Sequence, residues 1–505
     1  MLNSLKISLR DSLVYGLGNI AVKIIGFILI PLYTDPKYFT VDDFGVIALL
    51  DISGLVLISI MASALPQSLM RWYWDKDHVK NQKEIFFMSL SLQIFVSLLF
   101  IIFLIPVAPK ISVIIFSTEK WSFSLKMLIL STAFQSINNI INTLMRVQSK
   151  SLLFSVANIS KLVIVLFMTL FLIIRKEMGI AGIYLAQVTG NLVFIIFLSG
   201  YTVKNCIPSF NFKVLKSMTG FGFPLMLANF ASACFSAIDR YSLNYMDLMK
   251  YVALYSLAFK ISSVLRLVIV DSIKMAVSPM IIRKIDNPDN MRFYAKTNLY
   301  SSFVLMTGVI AISLFSYEAI KVISRSAEFW QAFIVVPLLS ISVFFVNMRE
   351  TTGIGLTIKK KTWVIGIIVA FSSVLNIILN ILLIPMFNIM GAAAATIATN
   401  LFYWYACYHF SQKAFFIPYE ISKIILILIT GALLSFSGLL LTDMQLLPRL
   451  IIKTMILMSF PVILYFLKFY EPAELKAIKG FIIKWSSLRK FGENIRSLKN
   501  IGDTI

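Results

Sequence analysis

Long apolar runs recur from one end of the chain to the other. Each run holds roughly 18 to 25 residues, the length of an α-helix that crosses the apolar core of a bilayer. The pattern predicts an all-α integral membrane protein with about 14 transmembrane helices. These helices are expected near residues 12–34, 44–65, 85–106, 122–145, 151–174, 179–201, 218–240, 251–279, 297–316, 329–352, 362–385, 389–410, 421–441 and 449–467.

The composition agrees with a membrane-embedded chain. Hydrophobic residues make up 59% of the 505 positions and charged residues only 14%, whereas a soluble domain carries about 25% charged residues. The apolar runs follow one another so closely that no segment is left for a separate soluble domain. We therefore expect the membrane part to carry the function.

The formal net charge of +22 could suggest a nucleic-acid partner, but the basic residues are unevenly distributed. They cluster in alternate short loops and in the tail, as in Lys359, Lys360 and Lys361. The excess over the opposite loops is roughly threefold, which is the bias that cytoplasmic loops of membrane proteins show. The pattern predicts that both termini are cytoplasmic and that no nucleic acid is bound.

No residue pattern indicates an enzyme. His78 and His409 have no partner at a metal-binding spacing, and the three cysteines (Cys206, Cys234 and Cys407) form no CxxC pair. The chain also lacks the GxxxxGKS or GxxxxGKT sequence of a phosphate-binding loop. We expect a transporter without metal, cofactor or catalytic residues.

Two similar segments indicate an internal duplication. The text GIAGIYLAQVTGNL at 179–192 resembles NIMGAAAATIATNL at 388–401, with Gly182 matching Gly391. Close helix packing alone can also produce Gly- and Ala-rich apolar helices. Together with the loop spacing, the match favours two repeated bundles, an arrangement that many transporters use. The predicted parts are a six-helix bundle at 1–210, a second at 211–415, an additional helix pair at 416–467, and a basic amphipathic tail at 468–505 on the cytoplasmic leaflet.

Polar and charged side chains inside the predicted helices are the candidates for function. A charge at the centre of a membrane helix costs roughly 2.5 to 3.5 kcal/mol, so it normally faces a bundle interior or a water-filled cavity. The substrate-binding candidates are Asn19, Lys23, Asn138, Asn142, Arg146, Asp239, Arg240, Lys260, Arg266, Asp271 and Lys274. Cations outnumber carboxylates among them, which suits an anionic substrate.

Some of these residues also have a simpler interpretation. Arg146 and Arg240 lie near predicted helix ends, where a long side chain can reach the membrane surface. The asparagines can join helices by hydrogen bonds, and Asp271 and Lys274 can pair at i, i+3. Asp51 is expected at the membrane interface.

Several stretches resemble the Wzx-type oligosaccharide flippases of the multidrug, oligosaccharidyl-lipid and polysaccharide exporter superfamily. They are YGLGNIAVKIIGFILIPLYT at 15–34, DDFGVIALL at 42–50, FGFPLMLANFASACFSAIDRYSL at 221–243, VALYSLAFKISSVLRLV at 252–268 and NILLIPMFNIMGAAAATIATN at 380–400. The resemblance implies a two-lobed helical bundle with an added helix pair in a bacterial inner membrane. It further implies that the protein flips a polyprenyl-pyrophosphate-linked oligosaccharide to the outer face by alternating access, for O-antigen, capsule or another surface glycan.

Other functions within the superfamily stay open. A lipid II flippase would share the cationic cavity and the extra helix pair. A cation-coupled multidrug exporter should carry a buried carboxylate in its first bundle, whereas the first helix here has Lys23. The expected partners are the lipid-linked oligosaccharide, membrane lipids, and a polysaccharide polymerase or another assembly protein. Either an ion gradient or the membrane potential would drive transport.

Overall fold

The computed structural model of the protein describes residues 26–76, 79–275, 290–359, 361–476 and 479. The elements within these ranges are all helical. The long helices are α1 (Val41–Met61), α2 (Leu65–Tyr73), α3 (Gln82–Phe116), α4 (Ser122–Val147), α5 (Ser151–Ile174), α6 (Gly179–Phe197), α7 (Phe212–Tyr245), α8 (Met249–Leu265), α9 (Asn290–Ile323), α10 (Val336–Thr352), α11 (Thr362–Ala414), α12 (Ile421–Ser437) and α13 (Leu446–Phe466). Shorter helical segments are Ile30–Tyr33, Val79–Asn81, Ser199–Lys204, Arg266–Val270, Ala327–Ile334, Ile354–Ile358 and Gly438–Leu441.

The helices confirm the predicted all-α membrane fold. Within the described ranges, 10 helices are long and apolar enough to cross a bilayer, or up to 11 when Ala327–Ile334 and Val336–Ile358 are taken as one broken span. The first predicted helix, 12–34, lies mostly outside the described residues. The chain is therefore a multi-pass membrane protein, and the count of about 14 helices stays a prediction.

Two predicted helices, 362–385 and 389–410, follow each other without a loop and together form α11. The break between them is at Asn388, which has φ of 48° and ψ of −126°. Such a positive φ is uncommon for residues other than glycine, and asparagine tolerates it better than most. The chain therefore changes direction at a single residue where the sequence predicted a short connection.

The two repeated segments share this backbone feature. Gly179 opens the first segment with φ of 54° and Asn388 opens the second with φ of 48°. Three residues later, each segment has a glycine in close contact with the preceding helical segment. A β-carbon added to Gly182 would lie 3.2 Å from the side chain of Leu172, and one added to Gly391 would overlap the preceding backbone. The two segments therefore share this geometry, and the duplication and the bundle boundaries stay predictions.

The helices pack as two groups and a pair. In the first group, α1 to α6, α3 packs on α4, α5 on α6, and α4 on α6. In the second group, α7 to α11, α9 and α11 both pack on α10, and α7 packs on α11. The extra pair, α12 and α13, packs mainly on α9. The two groups meet along a seam where α1 contacts both α7 and α8.

The seam is tight at the end predicted to face outside. A β-carbon added to Gly45 of α1 would lie only 2.7 Å from the Met249 carbonyl oxygen at the start of α8. Asn244 Nδ2 of α7 donates a hydrogen bond of 2.6 Å to the Ile115 carbonyl of α3. One apolar cluster includes residues of both groups at this end. These contacts close the cleft between the groups on the predicted outer side.

A smaller contact joins the groups at the opposite, predicted inner end. The Ser68 hydroxyl of α2 donates to the Met218 carbonyl of α7 at 2.9 Å. The Arg71 guanidinium lies 4.5 Å from the ring centre of Phe221, a cation–π contact. Helix α2 therefore bridges the groups at this end.

The extra pair is fastened to α9 near its predicted outer end by a buried carboxylate. Glu318 of α9 lies 2.8 Å from Lys453 Nζ and 2.7 Å from Arg449 Nε of α13. The three side chains are only 15%, 1% and 8% exposed, respectively. One carboxylate thus compensates two cations that have almost no access to water.

A second network fastens the pair near the predicted inner end. Lys296 Nζ lies 2.8 Å from Glu420 and 2.6 Å from Glu471. The hydrogen bond from Lys296 holds the pKa of Glu471, which follows α13, below its usual value. The ion pairs tie the segments on either side of the extra pair to α9. Most of the predicted amphipathic tail, from residue 480 onward, lies outside the described residues.

Candidate functional site

A cavity of about 540 Å³ lies between the two helix groups. We call it the central cavity. Helices α1, α2 and α4 of the first group line it, together with α7 and the segment after α8 of the second group. Its polar lining comprises Ser59, Gln67, Asn139, Asn142, Thr143, Arg146, Asn229, Ser232, Ser236 and Arg266. Among these described lining residues there is no carboxylate, so the formal charge of the lining is positive.

The α4 wall of the central cavity is a polar stripe at helical spacing. Asn139, Asn142 and Arg146 are three and four residues apart, so they share one face of the helix. Asn158 of α5 donates to Asn142 Oδ1 at 2.9 Å, and the Phe154 ring lies 4.9 Å from the Arg146 guanidinium. Helix α5 therefore orients the stripe, and the sequence-predicted Asn142 and Arg146 both line the cavity.

Arg266 supplies the positive charge on the opposite wall. It is the first residue of the π-helical segment Arg266–Val270 that continues α8. Such segments are rare and frequently occur at functional sites, because the extra residue redirects the side chains that follow. Arg266 is exposed and lines both the central cavity and a smaller neighbouring cavity. The sequence prediction that Arg266 faces an internal space agrees with this location.

The smaller cavity, which we call the side chamber, lies within the second group and has a volume of about 130 Å³. Ser232, Ser236 and Arg266 line both cavities, so the two are neighbours. The remaining polar and aromatic lining is Phe235, Asp239, Phe259, Ser262, Ser263, Ser342, Arg349, Asn376, Thr396, Asn400 and Tyr403. The chamber is therefore rich in hydroxyl groups and bounded by aromatic rings.

Asp239 forms a buried part of the chamber wall and is only 7% exposed. Its carboxylate accepts hydrogen bonds from the Tyr255 hydroxyl at 2.6 Å, the Thr396 hydroxyl at 2.8 Å and Asn380 Nδ2 at 2.9 Å. Three donors from two other helices satisfy the carboxylate without water. The sequence-predicted Asp239 thus joins α7, α8 and α11.

Lys260 meets a carboxylate across the seam between the groups. Its Nζ lies 3.9 Å from Asp51 Oδ2, and the Tyr184 hydroxyl donates to Asp51 Oδ1 at 3.1 Å. Asp51, for which an interfacial position was expected, is midway along α1 and faces Lys260 of α8. A carboxylate on an apolar helix needs such partners because few polar groups surround it. Lys260 is not among the residues that line the central cavity.

Arg240 is also held away from the central cavity by its own contacts. Its Nε donates to the Ser256 hydroxyl at 3.0 Å, and one terminal nitrogen donates to the Ser236 carbonyl at 3.2 Å. The Phe259 ring centre lies 4.4 Å from the guanidinium. The residue is only 6% exposed, so it is buried between α7 and α8 rather than at a helix end in contact with water.

Lys274 is paired with α10. Its Nζ lies 2.7 Å from Glu350 Oε2, and the neighbouring Arg349 donates to Glu350 Oε1 at 3.1 Å. Asp271, which the sequence suggested as a partner at i, i+3, lies one helical turn before Lys274. The Glu350 carboxylate therefore holds two cations at the last turn of α10.

Asn138 lies inside the first group rather than at the central cavity. It is fully buried, and its Nδ2 donates to Asn191 Oδ1 of α6 at 3.0 Å. This contact agrees with the alternative that some asparagines join helices. Asn19 and Lys23 lie outside the described residues.

Tyr184 and most of the side chamber carry no functional signal in the sequence. Serines such as Ser342 lie singly on apolar helices, where a small residue usually indicates close packing. Asn400 differs, because it occupies the repeated segment at 388–401. That segment indicates the duplication rather than a binding site.

Comparisons with known proteins agree with the fold. Residues 38–334 match the sequence model of a family described as polysaccharide biosynthesis protein. No curated protein matches the sequence.

Solved structures give the same architecture at low sequence identity. The lipid II flippase MurJ, in an inward closed conformation, matches with a TM-score of 0.71 at 16% identity over 89% of this chain and 98% of that one. An inward-facing multidrug resistance MATE family transporter of the MOP superfamily matches with 0.65 at 13% identity over 81% and 95%. A MATE transporter of Vibrio cholerae matches with 0.59 at 14% identity over 82% and 98%. Because the family match spans more than half of the chain, the protein belongs to the polysaccharide biosynthesis protein family and has the all-α fold of the MOP-superfamily transporters.

Proposed function

We propose that the protein is a flippase of the Wzx type. It moves a polyprenyl-pyrophosphate-linked oligosaccharide from the cytoplasmic to the outer face of a bacterial inner membrane for surface polysaccharide synthesis. The observation that carries the proposal is the central cavity, where Arg146 and Arg266 face one space from different helix groups and no described lining residue is a carboxylate. Guanidinium groups bind phosphate oxygens through paired, charge-assisted hydrogen bonds, so the cavity suits the pyrophosphate while the prenyl chain stays in lipid.

Transport by alternating access requires two closures that open in turn. The extended seam at the predicted outer end, with Gly45 against Met249, serves as the outer closure. The smaller contact of α2 with α7, from Ser68 to Met218, serves as the inner closure. We propose that the bundles 1–210 and 211–415 rock about the central cavity and that the extra pair moves with α9 of the second bundle.

A lipid II flippase is the second candidate. It is favoured by the fold shared with MurJ over 89% of this chain, and lipid II carries the same kind of polyprenyl pyrophosphate. A cation-coupled drug exporter is less well supported, although MATE transporters share the fold. The carboxylate in the first bundle, Asp51, already faces Lys260 at 3.9 Å, and two arginines in the central cavity repel a cationic drug.

A charge series at Arg266 tests the proposal in vesicles with a lipid-linked oligosaccharide. Arg266→Lys should keep measurable transport, because the positive charge remains and only the paired geometry is lost. Arg266→Gln should reduce transport roughly 10- to 100-fold, as expected for losing a hydrogen bond to a charged group. Arg266→Glu should abolish it, since it adds repulsion in a partly desolvated space.

The matched control is Arg175→Glu, which reverses the charge of an exposed arginine at the end of α5. It should transport at the wild-type rate. Equal transport by Arg266→Gln and Arg266→Glu, at unchanged membrane abundance, would show that residue 266 does not meet the pyrophosphate.

The proposed orientation is tested separately, with reporter fusions after Arg10, Lys361 and Lys490. All three should report the cytoplasm, because the basic loops alternate. A periplasmic signal from any of them would contradict the topology.

A further inference from the structure

We infer that the side chamber binds the first sugar of the lipid-linked oligosaccharide, beside a pyrophosphate held at Arg266. The inference rests on the proposed function and adds a subsite to it. It stands on five observations: the position of the chamber, the hydrogen-bonding state of its hydroxyl groups, its aromatic walls, the partners of its charged groups, and its size.

The position of the chamber follows from its shared lining. Arg266, Ser232 and Ser236 line both the central cavity and the side chamber. In a polyprenyl-pyrophosphate saccharide, the first sugar is bonded directly to the outer phosphate. A pyrophosphate bound to Arg266 therefore brings the first sugar ring to the boundary between the two cavities, within reach of the chamber.

Serine hydroxyl groups of the chamber can accept hydrogen bonds from a ligand. Those of Ser236, Ser263 and Ser342 each donate their proton to a backbone carbonyl of their own helix, at 2.6 to 3.0 Å. A serine hydroxyl that donates in this way still has oxygen lone pairs that can accept. A pyranose presents several hydroxyl donors around its ring. The chamber therefore offers at least these three hydroxyl acceptors to the donors of a sugar ring.

Aromatic side chains supply the apolar part of the chamber. The rings of Phe235 and Tyr403 meet edge to face at 6.2 Å between centres, and Phe259 is 36% exposed. A pyranose has an apolar face of C–H groups that can pack on such rings, while its rim makes hydrogen bonds. The combination of aromatic rings and back-bonded hydroxyls distinguishes this chamber from a purely anionic or purely apolar site.

Two of the three charged groups that line the chamber already have protein partners. Asp239 accepts three hydrogen bonds from protein donors. Arg349 donates to Glu350 at 3.1 Å and lies 4.2 Å from the ring centre of Tyr403. The interior of the chamber therefore suits a neutral ligand, and the phosphate stays at Arg266.

The chamber is the smaller of the two spaces. Its volume of about 130 Å³ is roughly a quarter of that of the central cavity. It therefore suits one sugar ring of the cargo rather than the whole oligosaccharide. The remaining sugars would extend into the central cavity, which has a volume of about 540 Å³.

The test compares two ligands on the purified full-length chain. One is a polyprenyl pyrophosphate without sugar, and the other is the same lipid carrying one hexose. The wild type should bind the glycosylated lipid about tenfold more tightly, which corresponds to about 1.4 kcal/mol. Ser342→Leu, which fills the chamber with an apolar side chain, should reduce this ratio to about one while leaving the affinity for the bare pyrophosphate within twofold.

Ser373→Leu is the matched control. Ser373 makes the same kind of bond to its own helix, to the Val369 carbonyl at 2.9 Å, but it does not line the chamber, so the sugar preference should persist. If Ser342→Leu fails to fold, Asn400→Leu tests the same chamber through another lining residue. A retained tenfold preference in either folded chamber variant would overturn the inference.

The outcome also separates this inference from the proposed function. If the wild type binds both lipids equally and Arg266→Gln weakens both, the pyrophosphate site stands and the sugar subsite is refuted. If the wild type binds neither lipid, the proposed function is refuted, and the sugar subsite with it.

Discussion

Glu318 is the only described carboxylate within contact of two buried cations, and replacing it with glutamine is expected to destabilise the extra helix pair strongly. The carboxylate lies 2.8 Å from Lys453 and 2.7 Å from Arg449, and these partners are only 1% and 8% exposed. Breaking a buried ion pair by removing one partner typically costs about 3–5 kcal/mol, because an uncompensated charge remains. In this variant the Arg449 guanidinium keeps a hydrogen bond to the Thr442 carbonyl at 2.8 Å. Lys453 has no other carboxylate partner among the described residues. Lys453 should therefore account for most of the loss.

The assay is equilibrium unfolding of the purified chain in detergent, with Glu328→Gln as the control. Glu328 lies 3.6 Å from Lys250, but both side chains are about half exposed, at 59% and 49%, so its removal should cost less than about 1 kcal/mol. Adding Lys453→Met to Glu318→Gln should restore much of the stability, because it removes the unpaired cation. A loss for Glu318→Gln no larger than that for the control, without rescue by the double variant, would refute the reasoning.

Two further predictions concern the closures and the predicted inner end. Gly45→Ala should weaken the outer closure, since its β-carbon would lie 2.7 Å from the Met249 carbonyl oxygen. An impermeant thiol reagent added outside should then label a cysteine placed at Ser59 faster in a cysteine-free chain, and an unchanged rate would contradict this. The pKa of Glu471 is lowered in the folded protein because Lys296 donates a hydrogen bond to it. The ionised carboxylate therefore stabilises the attachment of the segment after α13, and this contribution is fully present at a pH above the unfolded pKa of about 4.3. That contribution should disappear as the pH falls through the lower folded pKa. Proteolysis of the tail should therefore accelerate in acid for the wild type. In Lys296→Ala it should be faster at neutral pH and should depend less on pH, because only Lys423 remains, 3.4 Å from Glu471.

The sequence predicted the helices well where their ends coincide with the ends of apolar runs. Helix α5 occupies 151–174, as predicted, because polar residues flank the run on both sides. Helix α9 extends from Asn290 to Ile323 although the apolar run suggested 297–316. The extra turns include Lys296 and Glu318, whose charges interrupt the apolar pattern but are compensated by ion pairs with distant segments. Such compensation depends on tertiary contacts that a local pattern cannot reveal.

The same limit applies to the candidate site. Arg266 could be identified because a charge deep inside an apolar run has few explanations other than an internal cavity, whereas Arg146, near a predicted helix end, could also reach the membrane surface. The pairing of Asp51 could not be predicted, since its partner Lys260 is on a helix about 200 residues further along the chain. The side chamber could not be predicted, because single serines such as Ser342 are ambiguous until the helices that surround them are known.

The most direct test of the account measures which cargo the wild-type protein moves across a vesicle membrane. Three cargoes are compared under one imposed ion gradient and membrane potential: a polyprenyl-pyrophosphate-linked oligosaccharide, lipid II and a cationic dye. Because the described lining of the central cavity carries Arg146 and Arg266 and no carboxylate, the account predicts transfer of the lipid-linked oligosaccharide and no transport of the dye. Faster transfer of lipid II would favour the second candidate. Transport of the dye without transfer of either pyrophosphate lipid would contradict the central claim.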